Sequence, residues 1–252
     1  MTKIFEDQPA VISHSAHTAH KLKLVTTAGD PFRCDGCMQP GDAHRYRCEP
    51  CNFDLHICCA LPAATVQHAL FKECTFTFHH EPPAPASCRR CDACGDDVDG
   101  FVYHCGERDL DLDLHPCCAQ LPVRFVQDGQ AFELRKEASR RCGFCGDKGH
   151  RRKFWAYRSY YDAGEVLYLH VGCLKDAHRT RNIGGGGHVV LAGAPIMEGL
   201  LQSLPRRTRS SRGFERFRKI VNVVVSVMIA VIFGNPMALI TAVAGPGGLL
   251  RG

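Results

Sequence analysis

The chain has 252 residues, among them 16 cysteines and 14 histidines, and a formal net charge of +5. This composition argues against one large apolar core and favours several small units, each held together by disulfides or metal ions. The basic excess lies near the end, because residues 206–252 hold eight basic and one acidic side chain, against 23 and 25 in residues 1–205. A uniformly basic array for binding duplex nucleic acid is therefore disfavoured.

The chain opens without an apolar stretch, since charged residues interrupt the segment from Met1 to Ala10. We find no secretory signal there, and we expect the cysteines to be thiolate ligands rather than disulfides. The first repeat begins at His20 with a strand that alternates Lys and Leu over residues 21–24. Two cysteine pairs, a closing His-x2-Cys and a last histidine follow: Cys34, Cys37, Cys48, Cys51, His56, Cys59 and His68.

The second repeat keeps this order with losses. Cys74 stands where His20 stood, and Arg108 occupies the position of the second cysteine of the second pair, next to an acidic stretch. Its remaining members are Cys91, Cys94, Cys105, His115 and Cys118. We expect the incomplete site around Cys74 and Cys105 to hold no metal, since only Asp109 or Asp111 could complete it.

The third repeat keeps the first cysteine pair and the closing His-x2-Cys, which are Cys142, Cys145, His170 and Cys173. Aromatic residues, among them Trp155, Tyr157 and Tyr160, occupy the region of its second pair. All three repeats end in Leu-His followed by a cysteine, which indicates an internal repeat of about 55 residues. Cys-x2-Cys pairs recurring with His-x2-Cys in fixed order are typical of structural zinc sites.

From His20 to His68 the residues resemble the divergent C1 domain, a plant relative of the cysteine/histidine-rich module that binds phorbol esters. The resemblance covers about residues 14–180 and implies a cross-braced arrangement of two zinc sites. One site would use the first pair and the closing His-x2-Cys: Cys34, Cys37, His56 and Cys59. The other would use the second pair and the outermost ligands: His20, Cys48, Cys51 and His68.

The ligands that are missing from the second and third repeats support the pairing of the first Cys-x2-Cys pair with the closing His and Cys. The third repeat lacks the second Cys-x2-Cys pair and still keeps four ligands, which form a full tetrahedron only in this pairing. The same set survives in the second repeat. We therefore expect four zinc ions, two in the first repeat and one in each of the others, with these further ligands: Cys91, Cys94, His115, Cys118, Cys142, Cys145, His170 and Cys173.

The predicted fold is a tandem of small zinc-stabilised β-rich modules, at residues 14–70, 71–127 and 128–181, followed by a hydrophobic C-terminal helix. Residues 182–219 are predicted to form a linker that is first Gly-rich and then basic. Residues 220–250 carry no charge. Residues 220–243 could cross a membrane with a kink, or pack against protein. The basic flank would then lie in the cytosol.

Some residues fall outside this assignment. His14 and His17 precede His20 at three-residue spacing, and one of them could take its place as a ligand. Cys58, Cys88 and Cys117 are spare thiols. If Cys88 and Cys91 formed the final ligand pair after Cys34 to Cys59, the fold would instead be a plant-homeodomain finger, a reader of chromatin.

Closed four-ligand sites predict a structural metal and no enzymatic activity. We expect a non-catalytic scaffold that binds proteins in signalling and faces the cytosol, with a nuclear reader of chromatin or nucleic acid as the alternative. The one basic and aromatic patch suited to nucleic acid runs from Lys148 to Tyr157. Diacylglycerol binding is disfavoured, because the tip at residues 95–100 is acidic and the tip at residues 38–44 is polar.

Overall fold

The computed structural model describes residues 8–85, 89–107, 110–127, 130–148, 154–161 and 165–182. Within these ranges the strands form three four-stranded antiparallel sheets, one after another along the chain. The prediction of small β-rich modules in tandem is confirmed. The linker beyond residue 182 and the apolar segment 220–250, with its predicted helix, lie outside the described residues.

The first sheet contains β1 (Val11–His14), β2 (His17–Arg33), β3 (Pro40–Cys48) and β4 (Phe53–His56), and helix α1 (Ile57–Ala60) follows it. The predicted alternation is visible in β2, where Leu22 is fully buried between two exposed lysines. Leu22 belongs to the same core cluster as Tyr46 and Leu55, which face each other across β3 and β4. This core supports the ends of the strands that carry the metal-ligand candidates.

The second sheet contains β5 (Thr65–His68), β6 (Phe71–His79), β7 (Val102–Cys105) and β8 (Leu112–Leu114), and a short 3-10 helix (Cys118–Gln120) follows it. The third contains β9 (Arg124–Gln127), β10 (Gln130–Arg135), β11 (Ala156–Tyr161) and β12 (Glu165–His170), which leads into α2 (Val171–Asn182). Strands β5 and β9 thus precede the module starts predicted at residues 71 and 128.

The first two sheets lie in one compact unit, made of residues up to Asp92 and Asp96–Pro122. Phe101 of the second module is 5% exposed and belongs to the core cluster of the first. Its backbone N–H donates to Gly36 O at 2.9 Å. A Cβ atom on Gly36 would lie 2.5 Å from Phe101 Cδ2, so a glycine is needed where these two modules meet.

Among the described residues, the second compact unit contains Ala93–Gly95 and those from Val123 to Asn182. Its core is aromatic, with Phe125 stacked on Phe132 at 4.7 Å and Tyr157 edge-on to Phe125 at 5.4 Å between ring centroids. Trp155 and Tyr157 are each 1% exposed. In the third module an apolar core therefore fills the region that holds a second cysteine pair in the first.

None of the helices in the described ranges is both long enough and apolar enough to cross a membrane. The segment 220–243, where the sequence predicts a membrane crossing, is not among the described residues.

Candidate metal centres

Three groups of four side chains repeat the same construction, one in each module. Each joins a Cys-x2-Cys turn to a histidine that ends the last strand of the sheet or directly follows it, and to the cysteine three residues later. In every group the four ligand atoms lie within 4.8 Å of one another. The groups are Cys34, Cys37, His56 and Cys59; Cys91, Cys94, His115 and Cys118; and Cys142, Cys145, His170 and Cys173.

The Cys-x2-Cys turns share a backbone conformation. The residue after the second cysteine is left-handed in each, with φ of 58° at Met38, 85° at Gly95 and 70° at Gly146. The N–H of the first cysteine then donates to the carbonyl two residues beyond the second, at 3.0, 2.9 and 2.8 Å in chain order. This local turn directs both sulfurs to one point, which explains why the two-residue spacing recurs.

The closing histidine is tied to the turn through its backbone. His56 N–H donates to Cys34 Sγ at 3.4 Å, and the equivalent distances are 3.5 Å from His115 to Cys91 and 3.4 Å from His170 to Cys142. Hydrogen bonds from N–H groups favour the thiolate form of a cysteine. The last strand of each sheet therefore both positions a ligand and stabilises the charge of another.

The imidazole rings are oriented for metal binding through Nδ1. In the first group, His56 Nδ1 lies 3.3 Å from Cys37 Sγ, while its Nε2 donates to Pro40 O at 3.0 Å. His115 Nε2 makes the same bond to Asp97 O at 3.1 Å. A carbonyl can only accept, so Nε2 carries the proton and Nδ1 keeps a lone pair for a metal.

The donor set fits zinc. In the third group, hydrogen bonds from Cys145 and Cys173 lower the pKa of Cys142, and the same bonds to Cys142 raise the pKa of Cys145 and Cys173. One thiolate thus forms readily and the next two form with difficulty unless a cation is present. Three sulfurs and one imidazole match a closed structural zinc site.

Burial differs among the three groups. All four residues of the first and second groups are buried. In the third group Cys145 is exposed and Cys173 is half-buried. The third group is therefore the most accessible to solvent and to competing ligands.

A fourth group contains His17, His20, Cys48 and Cys51. His20 Nδ1 lies 3.2 Å from Cys51 Sγ. The structure thus brings together three of the four residues that the sequence assigned to this site, and His17 stands with them. The hairpin of β1 and β2 turns after His14, so His17 opens the strand that also carries His20.

His68, the remaining residue of the predicted set, lies in β5 of the second sheet. Its Nδ1 accepts the N–H of Leu70 at 3.2 Å, and burial lowers its pKa. His14 holds the equivalent place in the first sheet, where its Nδ1 accepts the N–H of Ala16 at 3.1 Å. Counted by sheet, His68 therefore corresponds to His14 and closes a hairpin.

In the second module, Cys74 and Cys105 are joined by a disulfide, with a Cα–Cα distance of 6.3 Å. They hold the places of His20 and Cys48. Asp111, one of the two weak ligands considered, is paired with Arg89 at 2.8 Å, and Asp109 is outside the described residues. Disulfide sulfurs are not thiolate ligands, so this pair does not form a metal site. The expectation of thiolates throughout the chain is wrong for these two cysteines.

Two of the three aromatic residues named beside the basic run of the third repeat are not on the surface. Trp155 and Tyr157 are buried, and Tyr160 is 49% exposed with Arg158 over its ring at 5.0 Å. Buried rings have no free face on which a base could stack. Residues 149–153, the centre of the basic run, lie outside the described ranges.

Two spare thiols of the sequence, Cys58 and Cys117, lie next to each other in the first unit, with sulfurs 2.7 Å apart. Cys59, a candidate ligand, is within 4.8 Å of both. Nothing in the spacing of the repeats indicates this proximity, because the two residues are 59 positions apart in sequence. Cys88, the third spare thiol, is outside the described residues.

Comparisons with known proteins agree with this geometry in the first module. Probable nucleoredoxin 1 of Arabidopsis thaliana is 36% identical over 66 residues, which are 26% of this chain and 11% of that protein. The match therefore spans about a tenth of the relative's length. No solved structure matches the chain. Residues 15–60 match the model of the C1 domain family. This segment of the first module is thus a C1 domain, consistent with the divergent Cys/His-rich kind that the sequence resembles.

Proposed function

We propose that this protein is a zinc-binding scaffold, whose tandem Cys/His-rich modules recognise other proteins and catalyse no reaction. The observation that carries the proposal is the set of three Cys3His groups, each built at the end of its sheet. Three sulfurs and a nitrogen fill the tetrahedron that zinc prefers, which leaves no position for a water or a substrate. The metal then supplies folding energy and not Lewis acidity.

The size of the modules supports a structural role for the metal. Each sheet has only four strands, most of them short, and a unit this small rarely folds on its apolar core alone. The ligands of one group lie far apart in sequence, with Cys34 and Cys59 at the two ends of the first. A bound ion would hold the Cys-x2-Cys turn against the last strand, so that both become one rigid surface.

Partner recognition is proposed from the exposed tip that follows the Cys-x2-Cys turn of the second module. In the second module, Asp97 and Asp99 are exposed while Val98 between them is buried, so the backbone holds both carboxylates outward. Such an acidic tip favours a basic protein segment and repels anionic lipid or nucleic acid. A role in signalling on the cytosolic side is part of the proposal. It matches the C1 resemblance, and all described cysteines except Cys74 and Cys105 are free thiols, which a reducing compartment preserves.

Metal removal tests the structural part of this proposal. The purified protein should contain four zinc ions by elemental analysis. A strong chelator should abolish its circular dichroism signal and its capture of protein partners from native tissue, and added zinc should restore both. Near-native structure after complete metal removal would contradict a folding role. Capture that is unchanged by the chelator would separate recognition from the zinc modules.

A further inference from the structure

The spare cysteines Cys58 and Cys117 form a close pair of free thiols. Their sulfurs are 2.7 Å apart, about 0.7 Å longer than a disulfide bond. Both lie in the first compact unit, one in each of its two modules. The four metal-ligand groups described above use neither of them. With Cys59 the two form a further cluster of possible ligands, but Cys59 already belongs to the first group, and two sulfurs alone do not make a closed zinc site. The pair therefore needs an explanation other than a zinc site of its own.

The two cysteines occupy equivalent positions. Cys58 directly precedes the ligand candidate Cys59, and Cys117 directly precedes Cys118. The third module has Gly172 at this position, and a Cβ atom there would collide with the carbonyl oxygen of Cys94. The extra thiol is thus present in the two modules whose cores meet at Phe101, and a glycine replaces it in the third.

Several contacts fix the geometry around the pair. Phe101 N–H donates to Gly36 O at 2.9 Å, and Tyr103 Oη donates to Ala63 O at 2.8 Å. Ser15 Oγ lies 3.0 Å from His80 Nε2. These contacts hold the two modules together while both thiols are free, so a bond between the sulfurs requires little movement of the backbone.

The two residues differ in their exposure to solvent. Cys58 is half-buried, whereas Cys117 is 2% exposed. A small oxidant therefore approaches the pair from the side of Cys58, and the sulfur of Cys117 lies close enough to react with the oxidised sulfur. This is the arrangement of an attacking and a resolving cysteine.

We propose that Cys58 and Cys117 are a site of reversible oxidation by hydroperoxides, which closes a disulfide between the first and second modules. Cys58 sulfur attacks one peroxide oxygen: an S–O bond forms, the O–O bond breaks, and water leaves with the thiol proton. Cys117 sulfur then attacks Cys58 sulfur: the S–S bond forms, the S–O bond breaks, and a second water carries away the remaining proton. Two thiols and one hydrogen peroxide give one disulfide and two waters, with sulfur oxidised and peroxide oxygen reduced.

A disulfide between Cys58 and Cys117 leaves every candidate zinc ligand in place. Cys59 lies within 4.8 Å of both sulfurs, but the candidate ligand groups remain complete when Cys58 and Cys117 join each other. The oxidised protein therefore keeps its metal and gains a covalent connection between two modules. Oxidation of a ligand cysteine would instead release zinc.

Mass spectrometry of the zinc-loaded full chain tests the proposal. One equivalent of hydrogen peroxide is added, free thiols are alkylated, and the protein is digested with trypsin without reduction. Trypsin separates residues 48–72 from residues 109–124. We expect these two peptides to be joined, lighter by two hydrogen atoms than their sum, with zinc retained and the joined species lost after treatment with dithiothreitol.

Three variants complete the experiment. Cys58→Ser and Cys117→Ser should each lose the joined peptides while keeping the zinc content of the wild type, which shows that they fold. Cys88→Ser, the matched control, should form the link normally. The proposal is wrong if the two peptides stay separate, if the first equivalent of peroxide releases zinc, or if Cys58→Ser still gives the link.

Discussion

His17 completes the fourth group, together with His20, Cys48 and Cys51. His68 lies instead in the hairpin of the next sheet. Order along the chain favours His68, because it follows the closing cysteine as the last ligand should. The hairpin favours His17, because it places this residue three positions before His20 on the same strand. The signal in the sequence is the regular spacing of His14, His17 and His20.

Substitution of each histidine decides between these assignments. His17→Ala should reduce the zinc content from four ions to three, because the fourth group keeps only three donors. His68→Ala should retain all four ions, since His68 Nδ1 accepts the N–H of Leu70 at 3.2 Å. Elemental analysis of the two purified variants gives the answer. The reverse pattern would restore the assignment that chain order suggests.

The buried carboxylate of Asp113 links the last strand of the second sheet to other parts of the second module. Asp113 accepts hydrogen bonds from Arg89 Nη1 at 2.6 Å and from His104 Nδ1 at 3.0 Å, and its side chain is 5% exposed. Asp113→Asn should destabilise the zinc-loaded protein by about 2 kcal/mol, because it removes the buried charge that contacts Arg89 and His104, while Asp111 stays beside Arg89. Urea unfolding measures this free energy.

The matched control for that change is Asp97→Asn in the same module. Asp97 pairs with Arg90 at 3.2 Å, but the two side chains are 64% and 47% exposed. An ion pair in water contributes less than about 1 kcal/mol. Equal effects of the two substitutions would show that the burial of Asp113 has no energetic consequence.

At the scale of elements, the Cys-x2-Cys turn depends on a left-handed residue. Gly146 has φ of 70°, and a Cβ atom there would meet nothing within 4 Å. Gly146→Ala should therefore cost only the backbone term, about 1 to 2 kcal/mol of stability. Gly146→Asn should cost less, because asparagine tolerates this conformation. Thermal unfolding at fixed zinc concentration compares the two. An alanine variant as stable as the wild type would exclude the backbone explanation.

The elements show what the sequence could predict and what it could not. Period-two alternation indicates β2, and the two-residue cysteine spacing indicates the metal turns, because both depend on neighbours in the chain. The first strand of each later sheet is harder to place, since β5 and β9 come before the pattern that marks the repeat. The sequence alone does not show whether the aromatic residues of the third repeat lie in a core or on the surface. The structure shows that Trp155 is buried.

Contacts between modules belong to the scale of the whole molecule, and they were not predictable from repeats. The pairs of Phe101 with Gly36 and of Cys58 with Cys117 join residues that are 59 or more positions apart. A repeat pattern describes each module by itself, so it carries no information on how two modules pack. The disulfide of Cys74 and Cys105 is similar, because sequence alone shows two leftover cysteines and not their bond.

Phe101 gives a test of coupling between the first two modules. Phe101→Ala should cost about 3 to 5 kcal/mol, because it empties a buried site in the core of the first module. Hydrogen exchange should then become faster at Leu22 and Tyr46, although the changed residue belongs to the second module. Val126→Ala, at a side chain 50% exposed, serves as the control. Protection unchanged at Leu22 and Tyr46 would mean that the two modules fold independently.

The position of Phe101 also sets an order of events during synthesis. The chain leaves the ribosome from its N-terminus, so all four residues of the first closing group, up to Cys59, emerge before Phe101 does. Zinc can then close the first module while the apolar side chains of Leu22 and Leu55 still lack their last neighbour. Until the second module is made, the metal stabilises the nascent first module, and the apolar surface that Phe101 later covers stays exposed. The zinc supply in the cell therefore affects how well this protein folds during its synthesis.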